Sequence, residues 1–336
     1  MSVVFSVAIA VIAAIVCAGL IFFIRPWLQR YALARPNARS SHKIPTPQGG
    51  GIAVVAATMV VAYGAFFFFA SGSSGVAPSP ILLAAVIVMA GIGVTADLRP
   101  ISVAPRLLLQ ILTVAAVIYA LPADLRLVPL LPWWAERILM VLGGVWFVNL
   151  VNFMDGIDWI TATEVIPVTA ALAVIGLCGM LPPSAVFISL ALCGAMIGFA
   201  YFNRPVAKLF LGDVGSLPIG LLLGWLLVLL AGHGGQAAAL LLPLYYLADS
   251  TLTLLRRLMK GERVWQAHRS HFYQRATDGG FTVIDVVARV FAINLGLAAL
   301  AIAIVILPGR FNDLAALAGG AALVAWLLIV FARGKR

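Results

Sequence analysis

Long apolar runs are the feature that most constrains the fold of this chain. Of its 336 residues, 63% are apolar and 10% are charged, whereas soluble domains carry about 25% charged residues. About 20 consecutive apolar residues span a bilayer as a helix. Eleven stretches fit this length, at residues 3–24, 50–70, 79–96, 104–121, 136–153, 161–181, 184–202, 215–231, 236–255, 284–307 and 312–332. The sequence therefore predicts one all-α polytopic integral membrane domain over residues 1–336, with about 11 transmembrane helices, ten being the alternative count.

Positive charge is concentrated in alternate loops. The net charge is +10, and 18 of the 22 Lys and Arg residues fall in one set of inter-span segments, at residues 25–49, 97–106, 203–213, 256–282 and 333–336. Loops rich in Lys and Arg face the cytoplasm, so we predict that the N-terminus lies outside and the C-terminus inside. The basic excess then reflects topology and attraction for anionic membrane lipids. This distribution argues against a nucleic-acid partner.

Six acidic or amide side chains lie at the ends of the apolar runs. They all fall on the predicted cytoplasmic side: Asp97, Asn149, Asn152, Asp155, Asp158 and Asp213. A carboxylate near a bilayer is costly and usually marks a functional site. Asn149, Asn152 and Asp155 recur every three residues, so on a helix they form one polar stripe, which Asp158 extends. Their oxygens suit a hard cation such as Mg²⁺, although polar caps of a helix end are the alternative.

Asp97 and Asp213 each lie alone at a predicted helix end. Asp97 follows the third apolar run, where Arg99 and Arg106 offer it counter-charges, so a structural role is the simpler interpretation. Asp213 opens the eighth run in a turn with flanking glycines. It could serve only as an N-cap. A carboxylate that faces a bound metal explains the flanking glycines better.

Two further loops combine cations with hydroxyl or imidazole groups. The first loop precedes three glycines at 49–51 and contains Arg39, Ser41, His42, Lys43 and Thr46. It suits phosphate, and a basic loop that only sets topology explains it equally well. The second contains His268, Arg269, His271 and Arg275. Without a nearby Cys or further His to complete a zinc site, it favours a clamp for an oxyanion or diphosphate.

Four of these segments, in order, resemble the signature of one enzyme family. Ser40–Gly51, Asn149–Asp158, Gly212–Ser216 and His268–Arg275 are similar to the motifs of the polyprenyl-phosphate N-acetylhexosamine-1-phosphate transferases (glycosyltransferase family 4), over about residues 35–280. The last segment resembles the WecA/WbpL-like O-antigen branch rather than the related peptidoglycan enzyme MraY. The resemblance implies transfer of N-acetylhexosamine-1-phosphate from a UDP-sugar to undecaprenyl phosphate, with release of UMP, to start synthesis of O-antigen or a related cell-envelope polysaccharide.

The resemblance also implies roles for the matching residues. Asp213 and Asn152 would bind Mg²⁺, with Mn²⁺ as an alternative. Asp97 would contact or deprotonate the lipid phosphate, and Asp155 would be catalytic at the nucleotide-sugar site. The substrate-binding set would be Arg39, Ser41, His42, Lys43, Thr46, Asn149, Asp158, Gly212, Ser216, His268, Arg269, His271 and Arg275. The active-site loops, at about 25–49, 97–103, 149–160, 203–214 and 256–282, would face the cytoplasm from the bacterial inner membrane. Since relatives are often dimers, a homodimer is compatible with the resemblance.

Two positions depart from the family pattern. Ala96 replaces the first residue of the usual Asp-Asp pair, and Trp159 replaces a glycine that commonly follows the third segment. The first departure leaves a catalytically impaired family member as one alternative. A transporter or flippase for a phosphorylated lipid or an ion is another, but its polar groups should lie near the membrane midplane, whereas these gather on one side. The sequence leaves the identity of the sugar open.

Overall fold

The computed structural model describes residues 2–34, 44–69, 79–99, 102–263 and 268–335, and helices dominate this part of the chain. The helices are α1 Val3–Tyr31, α2 Gly51–Phe69, α3 Pro80–Leu98, α4 Val103–Tyr119, α5 Trp133–Met154, α6 Ile160–Ile175, α7 Pro183–Ala200, α8 Asp213–Gly232, α9 Gln236–Leu241, α10 Leu244–Met259, α11 Phe272–Asp278, α12 Val283–Ile306 and α13 Arg310–Arg333. A π-helical turn, Gly176–Met180, continues α6. Two short strands, β1 Leu33–Ala34 and β2 Thr46–Pro47, pair antiparallel with Leu33 opposite Pro47.

Nine of the described helices are long and apolar enough to cross a membrane, which confirms the predicted all-α polytopic fold. The apolar helix α4 is shorter, at 17 residues. The segment predicted as one span at 236–255 is not a single helix, because α9 ends before Pro243 and α10 begins after it. Proline has no N–H to continue a helical hydrogen-bond ladder. The buried side of α10 is partly polar and includes Tyr245, Asp249 and Thr253.

Helices α7 and α8 form the centre of the bundle, since most of their side chains are buried. Helices α1, α2 and α6 pack against α7, while α3 and α5 pack against α8. Membrane helices gain contacts where small residues let backbones approach closely. Such a contact joins α2 to α8, because a Cβ on Gly51 would lie 2.1 Å from the Cα of Gly215. The first turns of these two helices are therefore held together.

Several chain ends and turns meet at one end of the bundle. The segment before α2 is tied to the segment before α8 by a bridge between Gln48 and Phe210. The N–H groups of Gly50 and Gly51 donate to the carbonyls of Phe210 and Leu211, both at 2.9 Å. Helices α3 and α5 end here, and α8 begins here. The polar residues at these ends consequently converge although they lie far apart in sequence.

Candidate active site

A cavity of about 770 Å³ opens at this end of the bundle. Small-molecule sites commonly occupy about 300–1,000 Å³, so a nucleotide-sized ligand fits. Its lining includes a group of residues that the sequence predicts for the site: Thr46, Asp97, Asn152, Asp155, Asp158, Gly212 and Asp213. It also includes three amide side chains, those of Gln48, Asn203 and Gln274. The structure therefore brings the polar ends of α3, α5 and α8 into one chamber.

Arg106 joins the two residues predicted as metal ligands. Its Nη1 lies 2.8 Å from Oδ2 of Asp213, and its Nη2 donates to Oδ1 of Asn152 at 2.9 Å. Asn152 in turn donates from Nδ2 to Oδ1 of Asp213 at 2.7 Å and to the hydroxyl of Ser216 at 2.8 Å. Arg106 was expected to act as a counter-charge for Asp97. The structure instead gives Arg106 its ion pair with Asp213.

The same two residues present oxygen atoms that suit a divalent cation. Oδ2 of Asp213 and Oδ1 of Asn152 both face the positive guanidinium. Mg²⁺ is usually held by one or two carboxylates together with substrate phosphates and waters, so one carboxylate and one amide form a suitable partial set. Within the described ranges, no group of three or more His, Cys, Asp or Glu side chains could hold a metal ion. A cation here would therefore take further oxygens from its ligand or from water.

Asp97 caps helix α8 from helix α3. Its Oδ1 accepts the N–H of Asp213 at 2.9 Å, and its Oδ2 accepts the N–H of Val214 at 3.1 Å. These are the first N–H groups of α8, which lack partners inside the helix, and the N-cap residue Gly212 has no side chain to bind them. Asp97 thus fixes the backbone that carries Asp213. Asp213 itself is the first helical residue rather than the N-cap.

Asp155 follows the last turn of α5 and accepts a hydrogen bond from the Thr161 hydroxyl at 2.5 Å. Burial, together with the negative charges of Asp213, Asp97 and Asp158, raises the pKa of Asp155 to about 7 against the effect of that bond. Because the folded pKa lies above the unfolded one, ionising this carboxyl as pH rises costs folding free energy. Carboxylates kept at such a cost cluster at functional sites.

The loop between α7 and α8 forms part of the cavity wall and is held by the segment after α5. Asp158 accepts the N–H of Ala207 at 2.9 Å. The side-chain oxygen of Asn203 accepts the N–H of Trp159 at 2.8 Å. The indole N–H of Trp159 donates to the carbonyl of Ala200 at 2.6 Å. Trp159 therefore anchors this loop from outside the cavity lining.

Other predicted substrate-binding residues do not line the cavity. Asn149 donates to Gln110 of α4 at 2.8 Å, and Ser216 is buried behind Asn152. The segment after the long inner loop contributes Gln274 to the lining, whereas the four predicted members do not: His268, Arg269, His271 and Arg275. Four residues of the first loop lie outside the described residues: Arg39, Ser41, His42 and Lys43. The binding roles of all these residues stay predictions.

The histidine-containing segment nevertheless holds several unsatisfied polar atoms. The side chain of His271 is 1% exposed, and its Nδ1 lies 3.2 Å from Oδ1 of Asp249. Within the described residues, buried Nε2 of His271, Nε of Arg269 and Oγ of Ser270 have no hydrogen-bond partner. Arg269 forms an ion pair with Asp278 at 3.0 Å.

Sequence reasoning assigned no site role to Asp249, Gln48, Asn203 or Gln274. Asp249 could have been found, because it is an acidic residue inside a predicted apolar span and such residues are functional by default. Gln48 and Gln274 lie inside two of the segments that resemble the family motifs, so their position was an available signal. Asn203 offered none, and only the packing of its loop against the cavity distinguishes it.

Comparison with known proteins agrees with the geometry. A family model described as glycosyl transferase family 4 matches residues 79–231, a range that contains Asp97, Asn152, Asp155 and Asp213. Over this range the chain is similar to this family. A probable undecaprenyl-phosphate N-acetylglucosaminyl 1-phosphate transferase of Bacillus subtilis (strain 168) is 25% identical, with 84% of this chain and 83% of the relative covered.

Two further relatives of this chain carry related names. A decaprenyl-phosphate N-acetylglucosaminephosphotransferase of Mycobacterium tuberculosis (strain ATCC 25618 / H37Rv) is 29% identical, with 73% of this chain and 68% of the relative covered. A phospho-N-acetylmuramoyl-pentapeptide-transferase of Wolbachia pipientis wMel is 40% identical over 82 residues, which cover 24% of this chain and 25% of the relative. The family resemblance seen in the motifs is confirmed.

Proposed function

We propose that this protein transfers an N-acetylhexosamine-1-phosphate from a UDP-sugar to undecaprenyl phosphate at the cytoplasmic face of the bacterial inner membrane. A phosphate oxygen of the lipid attacks the β-phosphorus of the donor, a new P–O bond forms, and the bond to UMP breaks. The resulting polyprenyl diphosphate sugar starts synthesis of O-antigen or a related cell-envelope polysaccharide. One observation supports the proposal most: Asp213 and Asn152, which line a ligand-sized cavity, both contact the cationic side chain of Arg106.

Asp213 and Asn152 would hold Mg²⁺, or Mn²⁺, through the oxygens that now face Arg106. A metal held there would offset the negative charge of the donor diphosphate. Arg106 supplies a second positive charge beside these ligands, and guanidinium groups bind phosphate well. Two anionic reactants can approach one another only where such charges are already in place.

The lipid phosphate needs little help from a base. A phosphate monoester carries close to two negative charges at neutral pH, because its second pKa is about 6. Both oxygens of Asp97 are engaged by backbone N–H groups of α8. We therefore favour a one-step direct attack. In this mechanism Asp97 contributes by holding Asp213 in place rather than as a base. This mechanism also accounts for a functional enzyme with Ala96 beside Asp97.

A single assay tests the proposed reaction. Purified protein is incubated with Mg²⁺, undecaprenyl phosphate and a panel of UDP-N-acetylhexosamines, and released UMP is measured. We expect UMP from at least one donor, only when the lipid is present, and none when the metal is removed by a chelator. Failure to release UMP with every donor would refute the transferase. UMP release without lipid would indicate hydrolysis instead.

Substitution of Gly212 should disturb the contact between Asp97 and α8. Gly212 has φ 78° and ψ 170°, a region used almost only by glycine, and a Cβ there would lie 2.5 Å from Oδ2 of Asp97. We expect Gly212→Ala to lower turnover about 100-fold, because small displacements of catalytic groups have effects of that size. The UMP assay measures it. Gly64→Ala is the control, since a Cβ on Gly64 meets no atom within 4 Å. Equal activities of the two variants would contradict this expectation.

Substitution of Trp159 should change the preference among donors. Its φ of 67° is left-handed, a conformation that glycine adopts without strain. Its indole N–H holds Ala200 at the start of the cavity-wall loop. We expect Trp159→Gly to shift the ratio of kcat/KM for two UDP-sugars by about tenfold or more, the scale on which pocket shape discriminates. Trp159→Phe loses the same N–H but keeps an aromatic ring, so an equal shift in this variant would assign the effect to the hydrogen bond with Ala200. An unchanged ratio in Trp159→Gly would exclude a role in donor choice.

A further inference from the structure

Asp249 is a buried carboxylate of α10 to which the proposed reaction gives no role. Its residue is 0% exposed. Its oxygens accept hydrogen bonds from the N–H of Phe272 at 3.0 Å, the N–H of Tyr273 at 3.1 Å, the hydroxyl of Tyr245 at 3.2 Å and the hydroxyl of Thr253 at 3.4 Å. Nδ1 of His271 lies 3.2 Å away. A buried carboxylate is tolerated when it is saturated with donors in this way.

Two of these donors are the first N–H groups of helix α11. Asp249 thus binds the start of α11 from the neighbouring helix α10, as Asp97 binds the start of α8 from α3. Backbone N–H groups at a helix start have no partner inside the helix. Asp249 therefore holds the start of α11 against α10.

Tyr273 connects α11 to the end of α5. Its side chain is fully buried, and its hydroxyl donates to the carbonyl of Phe153 at 3.2 Å. Phe153 directly follows Asn152 in the last turn of α5. Gly156 also packs closely against this hydroxyl group, because a Cβ on Gly156 would lie 2.1 Å from the Tyr273 hydroxyl oxygen. The end of α5, with Asn152 and Asp155, is consequently packed against α11.

We propose that Asp249 is a positioning residue of the candidate active site, acting through α11 and Tyr273 on the last turn of α5. Asp249 does not line the cavity, whereas Asn152 and Asp155 do. Its effect therefore passes through the backbone of α5 rather than through contact with a substrate. A test of this proposal by UMP release rests on the proposed function, whereas a test by backbone hydrogen exchange is independent of it.

The test compares Asp249→Asn and Tyr273→Phe with wild type in the full-length chain in detergent micelles. Hydrogen–deuterium exchange is followed by mass spectrometry in peptides that cover residues 149–160. We expect exchange in this segment to rise about tenfold in Tyr273→Phe, the effect of one hydrogen bond on a local opening equilibrium. We expect at least as large a rise in Asp249→Asn, in which one oxygen acceptor becomes a donor. UMP release should fall in both variants while KM for the lipid stays unchanged.

Tyr245→Phe is the matched control. It removes one hydroxyl from a fully buried tyrosine that also binds Asp249, but α11 keeps both of its bonds to the carboxylate. Exchange over 149–160 should stay at the wild-type level in this variant.

Each outcome decides the matter. Wild-type exchange over 149–160 in a folded Asp249→Asn variant or in Tyr273→Phe, or an equal rise in Tyr245→Phe, would overturn the proposal. If Asp249→Asn does not fold, the pair of Tyr→Phe variants decides, since each loses only one hydroxyl group. A wild-type protein that releases no UMP would refute the proposed reaction, and the exchange result would still show whether α11 positions α5.

Discussion

Asp213→Asn should abolish measurable transfer, with turnover reduced about 10³-fold or more, the effect expected when a central charge-stabilising group is lost. The Asp213 carboxylate binds Arg106 through one oxygen and Asn152 through the other. An amide removes the negative charge and turns one acceptor into a donor, so neither a metal nor the guanidinium is held as before. The measurement is UMP release at saturating donor and lipid over a series of Mg²⁺ concentrations.

Asp313→Asn is a suitable control for that experiment. Asp313 lies in the first turn of α13, as Asp213 lies in the first turn of α8, and it does not line the cavity. The same chemical change at an equivalent helix position should leave turnover close to wild type. Turnover of Asp213→Asn above a tenth of wild type at high Mg²⁺ would show that this carboxylate is not the main ligand.

Asp97→Asn should lower turnover about 100-fold, because a misplaced catalytic group has an effect of that size. It should also raise the Mg²⁺ concentration needed for half-maximal activity. The amide keeps one acceptor for the two N–H groups at the start of α8, so the backbone of Asp213 shifts. The Mg²⁺ series of the UMP assay measures both quantities.

This result separates two roles for Asp97. Loss of a general base would reduce turnover at every Mg²⁺ concentration without changing the half-maximal concentration, and it would alter the dependence of turnover on pH. Near-normal turnover at saturating lipid and Mg²⁺ would exclude a base and a positioning role alike. Asp124→Asn, an exposed carboxylate in the loop between α4 and α5, provides the control for the substitution itself.

Hydropathy was sufficient to predict most of the fold, because a chain in lipid must satisfy its backbone hydrogen bonds within each helix. The region around Pro243 was the exception. Apolar composition there predicted one continuous span, while the missing proline N–H divides it and leaves α10 with a partly polar buried side. The single acidic residue on that side, Asp249, was the available signal.

Within the site, the sequence predicted which helix ends contribute polar residues to the cavity but mispaired their charges. Arg106 was expected beside Asp97 because both lie in one short loop region. In the structure Arg106 reaches Asp213 and Asn152, while Asp97 turns to the backbone of α8. Such pairings depend on how each helix is rotated about its axis and where its neighbours lie. Periodicity along one helix carries no information about either.

The amino-acid sequence by itself determined that this protein is a multi-helical membrane protein that resembles glycosyl transferase family 4, with six acidic or amide residues at the ends of its apolar runs. It did so because apolar length and the order of short motifs are local properties. Only the tertiary structure decided that Asp97 caps α8, that Arg106 lies between Asp213 and Asn152, and that Asp249 reaches the end of α5 through α11. Those contacts join segments far apart in the chain, so they exist only once the helices are packed.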